Sequence, residues 1–349
     1  MMFRSSIKVV LGLMLLLGWG SVAACCSEPV AKPEARGSGA AEFEGVVRLV
    51  ALGDTGVGNA TQRQVAAGIQ ARCDELGGCD GVLLLGDLIY DDGAAHPDDP
   101  RLTSRLDEPY ATLHDRHGKR MTLYATLGNH DLGGSGWDET RVAHYVAYGR
   151  SRDWLHVPQA FWETQVGMVH LVGLHTSPLA YWGAEADLEA QGAMVKQVLA
   201  TSSARWIVAL GHHPYRSNGQ HGNAGQYEGV PGDGFMVGGR FRAWVEEHLC
   251  GGVDVYMAGH EHNRQWLSPV ADVPAWPPWL SSSERYPCRT RFGISGAGAK
   301  TTPLVDRGNP LDFGADTPGF VLLEFAPDQA RIEMCDAEGR LEWSQVLVR

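Results

Sequence analysis

Seven side chains of metal-binding types follow short apolar runs in this sequence, most of them introduced by glycine. They are Asp54, Asp87, Tyr90, Asn129, His212, His260 and His262. Carboxylate, phenolate and amide oxygens are hard donors, and imidazole nitrogens also bind metals, so seven such donors are enough to hold two ions. No single motif is specific, so the prediction of a dinuclear metal site depends on five motifs occurring in a fixed order.

The apolar runs before these residues predict the elements that position them. The runs end at Leu52, Leu85, Leu127, Leu210 and Ala258, each directly before a glycine. Short apolar runs bounded by glycine are typical of buried strands. Side chains at the carboxyl ends of neighbouring strands in an α/β sheet converge in one crevice, where glycine lets the chain turn and approach an ion closely.

Segments with helical spacing lie between the predicted strands. They are Thr61–Leu76, Leu188–Leu199 and Arg240–Leu249. Strand and helix thus alternate through residues 46–260, which predicts βαβ units and a largely parallel sheet. Near the carboxyl terminus, alternating apolar and polar residues predict antiparallel strands that close a second sheet. These are Val321–Phe325, Ala330–Cys335 and Trp343–Val348.

The predicted fold class is α/β, a four-layer sandwich of two mixed β-sheets flanked by helices. The metal site would lie at the carboxyl ends of the strands. The chain has 349 residues without internal repeats, which favours one domain over residues 45–349. Its formal charge of −12 argues against nucleic acid or an anionic membrane surface as the main partner. A small phosphorylated substrate remains compatible, since bound cations reverse the local field.

The amino terminus predicts export. A basic start at Arg4 and Lys8 precedes an apolar stretch too short for a comfortable transmembrane helix, so residues 1–24 are a predicted signal peptide. Val22-Ala23-Ala24-Cys25 resembles a bacterial lipoprotein processing site, with a lipid on Cys25 as the one membrane contact and residues 25–44 as a flexible tether. The predicted location is periplasmic or cell-surface. Cleavage after Ala24 without a lipid would instead give a secreted protein.

Cysteine pairs and two long connections complete the sequence pattern. Cys73 with Cys79 is the first predicted disulfide and Cys250 with Cys288 the second, although sequence alone does not fix the pairing. Residues 214–239 and 269–291 are rich in glycine or proline and are predicted to be loops near the crevice. They are either surface connections or a rim that selects the substrate.

The order of the motifs resembles that of the calcineurin-like metallophosphoesterases. The motifs are Asp54-Thr55-Gly56, Gly86-Asp87-Leu88-Ile89-Tyr90, Gly128-Asn129-His130-Asp131, Gly211-His212-His213-Pro214 and Gly259-His260-Glu261-His262. A tyrosine three residues after the aspartate, as Tyr90 follows Asp87, resembles the pattern of the purple acid phosphatase branch. The segments 211–222, 259–267 and 295–298 resemble the small, tartrate-resistant type, and the resemblance covers residues 46–348.

This resemblance implies a role for each predicted ligand. Asp54, Tyr90 and His262 would bind a ferric ion. Asn129, His212 and His260 would bind a divalent ion: iron, zinc or manganese. Asp87 would bridge the two. Hard anionic oxygen donors suit a trivalent ion, and imidazole with an amide oxygen suits a divalent one. A phenolate on ferric iron implies a visible colour.

The resemblance also implies the reaction. A purple acid phosphatase hydrolyses phosphate monoesters with metal-bound hydroxide as the nucleophile. The histidines at His130 and His221 would contact the phosphate or protonate the leaving oxygen, and Asn129 would also contact the substrate. Because an ordinary imidazole titrates near pH 6.5, an acidic optimum is expected.

Two alternatives remain open at this point. One is a dinuclear phosphodiesterase or nucleotide pyrophosphatase on the same fold, and the other is a non-catalytic surface binding protein. Several nearby polar residues are not expected to be ligands. His213, His170 and His175 would pack in the core or lie at the surface, Asp131 would orient a neighbour, and Glu261 would be solvated or lie behind the ligands.

Overall fold

A computed structural model describes residues 45–134, 136–181, 185–227, 238–275, 279 and 283–349. The predicted signal peptide, Cys25 and the tether lie outside these residues. The strands described are Val47–Leu52 (β1), Gly81–Leu85 (β2), Leu123–Thr126 (β3), Leu155–His156 (β4), Trp162–Val166 (β5), Val169–Gly173 (β6), Trp206–Leu210 (β7), Val255–Ala258 (β8), Arg264–Leu267 (β9), Ala271–Pro274 (β10), Ser283–Tyr286 (β11), Arg291–Ser295 (β12), Leu311–Ala315 (β13), Gly319–Phe325 (β14), Gln329–Asp336 (β15) and Leu341–Val348 (β16). The α-helices described are Ala60–Glu75 (α1), Val142–Arg150 (α2), Thr176–Ala180 (α3), Glu185–Thr201 (α4) and Gly239–His248 (α5).

The strands form two seven-stranded mixed sheets and one two-stranded sheet. The first large sheet has the order β16-β15-β14-β1-β2-β3-β4, with β1 to β4 parallel and β14 to β16 antiparallel. The second has the order β13-β9-β12-β8-β7-β6-β5, with β6, β7, β8 and β12 parallel. The prediction of two mixed sheets is confirmed.

Alternation along the strands assigns side chains to three apolar layers. In β1, Leu49 and Ala51 belong to the cluster between the two large sheets, together with Val208 of β7. The intervening Val50 and Leu52 belong instead to a cluster with Val65 and Ile69 of α1. Successive side chains of a strand point to opposite faces, so β1 is buried on both sides. A third cluster joins the second sheet to α4 and α5, which completes the four layers.

Helix α1 shows how local sequence sets an element. Its N-cap is Asn59, whose side chain accepts a hydrogen bond of 2.9 Å from the amide of Gln62. Asparagine is among the preferred N-cap residues because it satisfies an amide that has no partner inside the helix. The predicted helices at 61–76, 188–199 and 240–249 correspond to α1, α4 and α5. Their ends differ from the predicted ones by one to three residues.

Two predictions about strands are wrong. The carboxyl-terminal strands β14 to β16 do not close the second sheet but extend the first, where β14 pairs antiparallel with β1. On one edge β1 pairs in parallel with β2. Because β1 is buried, the backbone groups on its other edge also need a strand partner, which β14 provides. The proline-rich segment 269–291 is not only loop, because β10 and β11 pair as an antiparallel hairpin within it. Residues 276–278 and 280–282 of that segment lie outside the described residues, as do residues 228–237 of the other predicted loop.

Both predicted disulfides are confirmed. Cys73 pairs with Cys79 across 5.3 Å between Cα atoms, and Cys250 pairs with Cys288 across 5.0 Å. Cys335 is a buried free thiol. Across the described ranges, no helix combines the length and the apolar character that a bilayer crossing requires.

Candidate metal centre

The turns after three of the strands adopt an unusual backbone conformation. Asp54, Asp87 and His260 have φ angles of 58°, 54° and 68°, and each follows a glycine at the end of a strand. Residues other than glycine seldom occupy this left-handed region, and backbone strain of this kind concentrates at functional sites. These strained turns carry three of the predicted ligands.

Asp54, Tyr90 and His262 form the first half of the centre. The Tyr90 hydroxyl donates a 2.9 Å hydrogen bond to Asp54 Oδ1 and lies 3.3 Å from His262 Nε2. His262 Nε2 is in turn 3.4 Å from Asp54 Oδ1. Three side chains that are far apart in sequence thus bring three donor atoms to one point.

Asn129, His212, His260 and Asp87 form the second half. His212 Nε2 lies 3.0 Å from Asn129 Oδ1, 3.4 Å from Asp87 Oδ1 and 3.2 Å from His260 Nδ1. The other ring nitrogen of His212 lies 2.8 Å from the carbonyl oxygen of Leu85. That carbonyl can only accept, so the hydrogen resides on Nδ1 and the lone pair of Nε2 faces Asn129 and Asp87.

The two halves meet at the aspartates. Single ligand atoms of Asp54, Asp87 and His212 all lie within 4.8 Å of one another, and all three side chains are buried. In the second half, oxygen and nitrogen lone pairs face one another without enough hydrogens between them, which is unfavourable in a dry site unless a cation intervenes. The donor set therefore fits metal ions.

The electrostatics of the site agree with a cation between these groups. Burial opposes ionisation of Asp54, yet its hydrogen bond with His262 holds the pKa of its carboxyl group below the usual value. Burial, then Asp54 and Asp87, raises the pKa of Tyr90 well above 10. Burial and neighbouring histidines hold the pKa of His260 well below 6.5, so this imidazole is neutral and free to bind a metal. Bound cations would reverse the effect on Tyr90.

The two predicted substrate histidines flank the centre. The ring of His130 packs on Tyr90 at 4.4 Å between centroids, and its Nδ1 contacts the carbonyl oxygen of Asp91. His221 stacks on His260 with centroids 4.1 Å apart and planes at 30°. Both rings therefore lie against predicted metal ligands, on opposite halves of the centre.

The sequence left two positions open for Glu261, in solvent or behind the metal ligands. The structure places it in the interior, so the solvated position is wrong. Its side chain is 0% exposed. It accepts hydrogen bonds from Ser217 Oγ at 2.9 Å and from the amides of Gly222 at 2.7 Å and His221 at 3.2 Å. The glutamate between two predicted ligands therefore fixes the loop that carries His221.

Asp131 orients its neighbours, as the sequence predicts. Its carboxylate accepts from the amides of Leu88, Ile89 and Gly128 and from the hydroxyl of Tyr145, at 2.8–3.1 Å. Burial and the charge of Asp87 raise the pKa of Asp131 to about 6. This one side chain ties the turn after β2 to the turn after β3.

The Asp131→Asn variant is expected to lower the free energy of unfolding by about 2–4 kcal/mol, because an amide group would face backbone amides with a donor instead of an acceptor. Urea unfolding of the metal-free protein measures this loss. The exposed Asp316→Asn variant is the matched control and should leave the midpoint within error. An unchanged midpoint in Asp131→Asn would contradict the assigned role.

Three further histidines, none of them a predicted ligand, have polar partners outside the ligand set. His213 is fully buried and hydrogen-bonds through Nδ1 with Thr176 Oγ1 at 2.9 Å. His175 pairs with Glu139 at 2.7 Å, and His170 pairs with Glu163 at 2.6 Å. These contacts agree with the expectation that the three residues pack or lie near the surface.

Sequence reasoning missed Lys300. Its ammonium nitrogen lies 3.5 Å from the centroid of the Tyr90 ring. Burial lowers the pKa of Lys300, and the carboxylates of Asp54, Asp87 and Asp91 oppose this shift. The glycine-rich motif at 295–298 pointed to this loop, but a lysine just after a loop motif is ordinarily exposed, so nothing in the sequence singled it out.

Comparison with known proteins defines the class of this molecule. The family model for calcineurin-like phosphoesterases matches residues 47–264, more than half of the chain. The chain belongs to the calcineurin-like phosphoesterase family. The resemblance identified from the motifs is thereby confirmed.

Named relatives refine the assignment. The chain is 24% identical to purple acid phosphatase 17 of Arabidopsis thaliana, over 86% of this chain and 84% of the relative. It is 26% identical to human tartrate-resistant acid phosphatase type 5, over 63% of this chain and 68% of the relative. The protein is thus a phosphatase by relationship. The two disulfides are typical of a protein from an oxidising compartment.

Solved structures share the fold at low sequence identity. The purple acid phosphatase PPD1 of yellow lupin matches with a TM-score of 0.60 and 18% identity, over 87% of this chain and 54% of that one. GAP50, the anchor in the inner membrane complex of Plasmodium, matches with a TM-score of 0.64 and 15% identity, over 87% and 89% of the two chains. The metallophosphoesterase fold is confirmed, and family membership implies a dinuclear metal centre.

Proposed function

We propose that this protein is a purple acid phosphatase that hydrolyses phosphate monoesters at a centre of one ferric and one divalent ion. The observation that carries the proposal is the position of the Tyr90 hydroxyl, within 3.3 Å of donor atoms of both Asp54 and His262. A phosphoesterase centre without an iron–tyrosinate bond has no need of a buried phenol at this point. The carboxylates and the phenol suit a ferric ion, and Asn129 with two imidazoles suits iron, zinc or manganese.

Each residue has a role in this proposal. Asp54, Tyr90 and His262 would hold the ferric ion, Asn129, His212 and His260 would hold the divalent ion, and Asp87 would contribute to both. When bound, the two ions supply charge neutralisation for the phosphate and activate a water molecule as the nucleophile. The protein itself therefore needs no nucleophilic side chain.

The flanking histidines handle the substrate and the proton. The Nδ1 atom of His130 is engaged by the carbonyl oxygen of Asp91, which leaves Nε2 for the phosphate. His221, stacked on His260, is held by the loop that Glu261 fixes. A leaving alkoxide must take a proton, and a protonated imidazole supplies it. The resemblance to acid phosphatases implies an acidic optimum, so the activity is expected to fall as the pH rises above neutrality.

The physical setting extends the proposal. The proposed substrate is a small phosphorylated molecule. The negative charge of the chain repels nucleic acid, whereas bound metal ions would attract a small phosphate at the centre. Residues 1–24 direct export, and a lipid on Cys25 with the tether at 25–44 holds the folded domain of residues 45–349 at a membrane surface. A lipidated amino terminus would be seen by mass spectrometry of the mature protein.

One comparison of substrates tests the proposal. p-Nitrophenyl phosphate and bis(p-nitrophenyl) phosphate both release p-nitrophenol, so one assay measures both. They differ in whether the phosphorus carries one ester bond or two. We expect much faster turnover of the monoester, with an acidic optimum. Preference for the diester would favour the phosphodiesterase alternative, and no turnover of either ester by metal-loaded protein would favour a non-catalytic binding protein.

A further inference from the structure

An ammonium group lies on the face of the Tyr90 ring. Lys300 Nζ is 3.5 Å from the ring centroid, and the lysine side chain is half-buried. The face of an aromatic ring carries the negative part of its quadrupole, so a cation at this distance is attracted to it. The carboxylates of Asp54, Asp87 and Asp91 attract the same ammonium group.

The backbone on either side of Lys300 is fixed by hydrogen bonds, one to the N-cap of α1 and one to a predicted metal ligand. Ahead of it, the carbonyl oxygen of Ala299 accepts a 2.8 Å hydrogen bond from Asn59 Nδ2. After it, the amide of Thr302 donates a 2.9 Å hydrogen bond to the carbonyl oxygen of His262. The lysine therefore starts from a backbone attached to a predicted ligand.

The loop that leads to Lys300 approaches the centre too closely for side chains. A Cβ atom on Gly296 would lie 2.6 Å from Asp54 Oδ2, and one on Gly298 would lie 2.6 Å from the carbonyl oxygen of Gly53. Real Cβ atoms do not come that close. These glycines allow the loop to pass over the turn after β1 and bring Lys300 to Tyr90.

We propose that Lys300 weakens Tyr90 as an electron donor to the ferric ion. This inference rests on the proposed function. The tyrosinate donates through the same π electrons that the ammonium group attracts. When the electron density of the ring is lowered, promoting an electron from the ring to the ferric ion requires more energy. The ferric ion also receives less density from the ring, so it accepts one electron from an external reductant more readily.

The Lys300→Met variant tests the proposal because it removes the charge and retains the length of the side chain. Its visible absorption band is expected at a longer wavelength than that of the wild type. In a titration with dithionite, the ratio of ferric to ferrous protein at a fixed potential is expected to rise roughly 3- to 30-fold, the range that a cation–π contact supports. Lys300→Arg retains a positive charge and is expected to resemble the wild type.

Controls keep the outcome decisive. Lys196→Met removes an exposed lysine on α4 and is expected to leave both readouts unchanged. A second neutral variant, Lys300→Gln, replaces Lys300→Met if circular dichroism shows that the latter is unfolded. A band at the wild-type wavelength in the neutral variant would overturn this inference alone, whereas a wild-type protein that binds iron without a band would overturn the proposed function with it.

Discussion

The Asp87→Asn variant is expected to lose about a thousand-fold or more in kcat/KM for p-nitrophenyl phosphate. Asp87 is 1% exposed, and its Oδ1 lies 3.4 Å from His212 Nε2 and accepts the amide of His130 at 2.9 Å. It is the carboxylate assigned to both ions, and metal ions contribute several kcal/mol to the transition state. An amide in its place carries no charge to share between them.

The loss of activity should not reflect a loss of folding. The side-chain oxygen of asparagine can still accept the amide of His130. The substitution also removes a negative charge that raises the pKa of the buried Asp131, so the metal-free variant is expected to unfold at no lower temperature than the wild type. Asp98→Asn, at an exposed site, is the matched control and should retain full activity. Turnover of Asp87→Asn within tenfold of the wild type would contradict the bridging role.

The Glu261→Gln variant is expected to lose roughly 10- to 100-fold in kcat/KM, the range seen when groups behind a metal or catalytic residue are changed. Glutamine keeps one accepting oxygen, so its NH2 group would meet the amide of either Gly222 or His221 with a donor, whereas the carboxylate accepts from both. The loop would then hold His221 less firmly against His260. Steady-state kinetics with a phosphate monoester measures the loss, and the exposed Glu189→Gln variant is the matched control.

A double variant separates positioning from general damage. If Glu261 acts through His221, then adding Glu261→Gln to His221→Ala should lower kcat/KM little further, because effects of residues in one network are not additive. Multiplication of the two single losses would show that Glu261 acts through another group.

Local patterns were sufficient to predict which side chains converge, since each motif contains both its strand and its predicted ligand. An apolar run followed by glycine specifies where a strand ends, as at Leu85 and Gly86, and the side chain that comes next is carried to the sheet edge. No long-range information is needed for that inference. The same reasoning explains why the ends of α1, α4 and α5 were close to the predicted ones.

Long-range pairing could not be predicted in this way. The apolar run of β14 indicates a strand but not that its partner is β1, whose residues are more than 250 positions away. Lys300 was missed, and Glu261 was left as either solvated or behind the ligands, for a related reason, because charged side chains are exposed by default. Their burial depends on amides and an aromatic ring supplied by other segments.

The visible spectrum and metal content of the protein purified from its native compartment test the central claim most directly. We expect two metal ions per chain, at least one of them iron, and an absorption band in the visible range that is absent from the Tyr90→Phe variant. One iron per chain without such a band, or a band that survives in Tyr90→Phe, would contradict the ferric–tyrosinate centre.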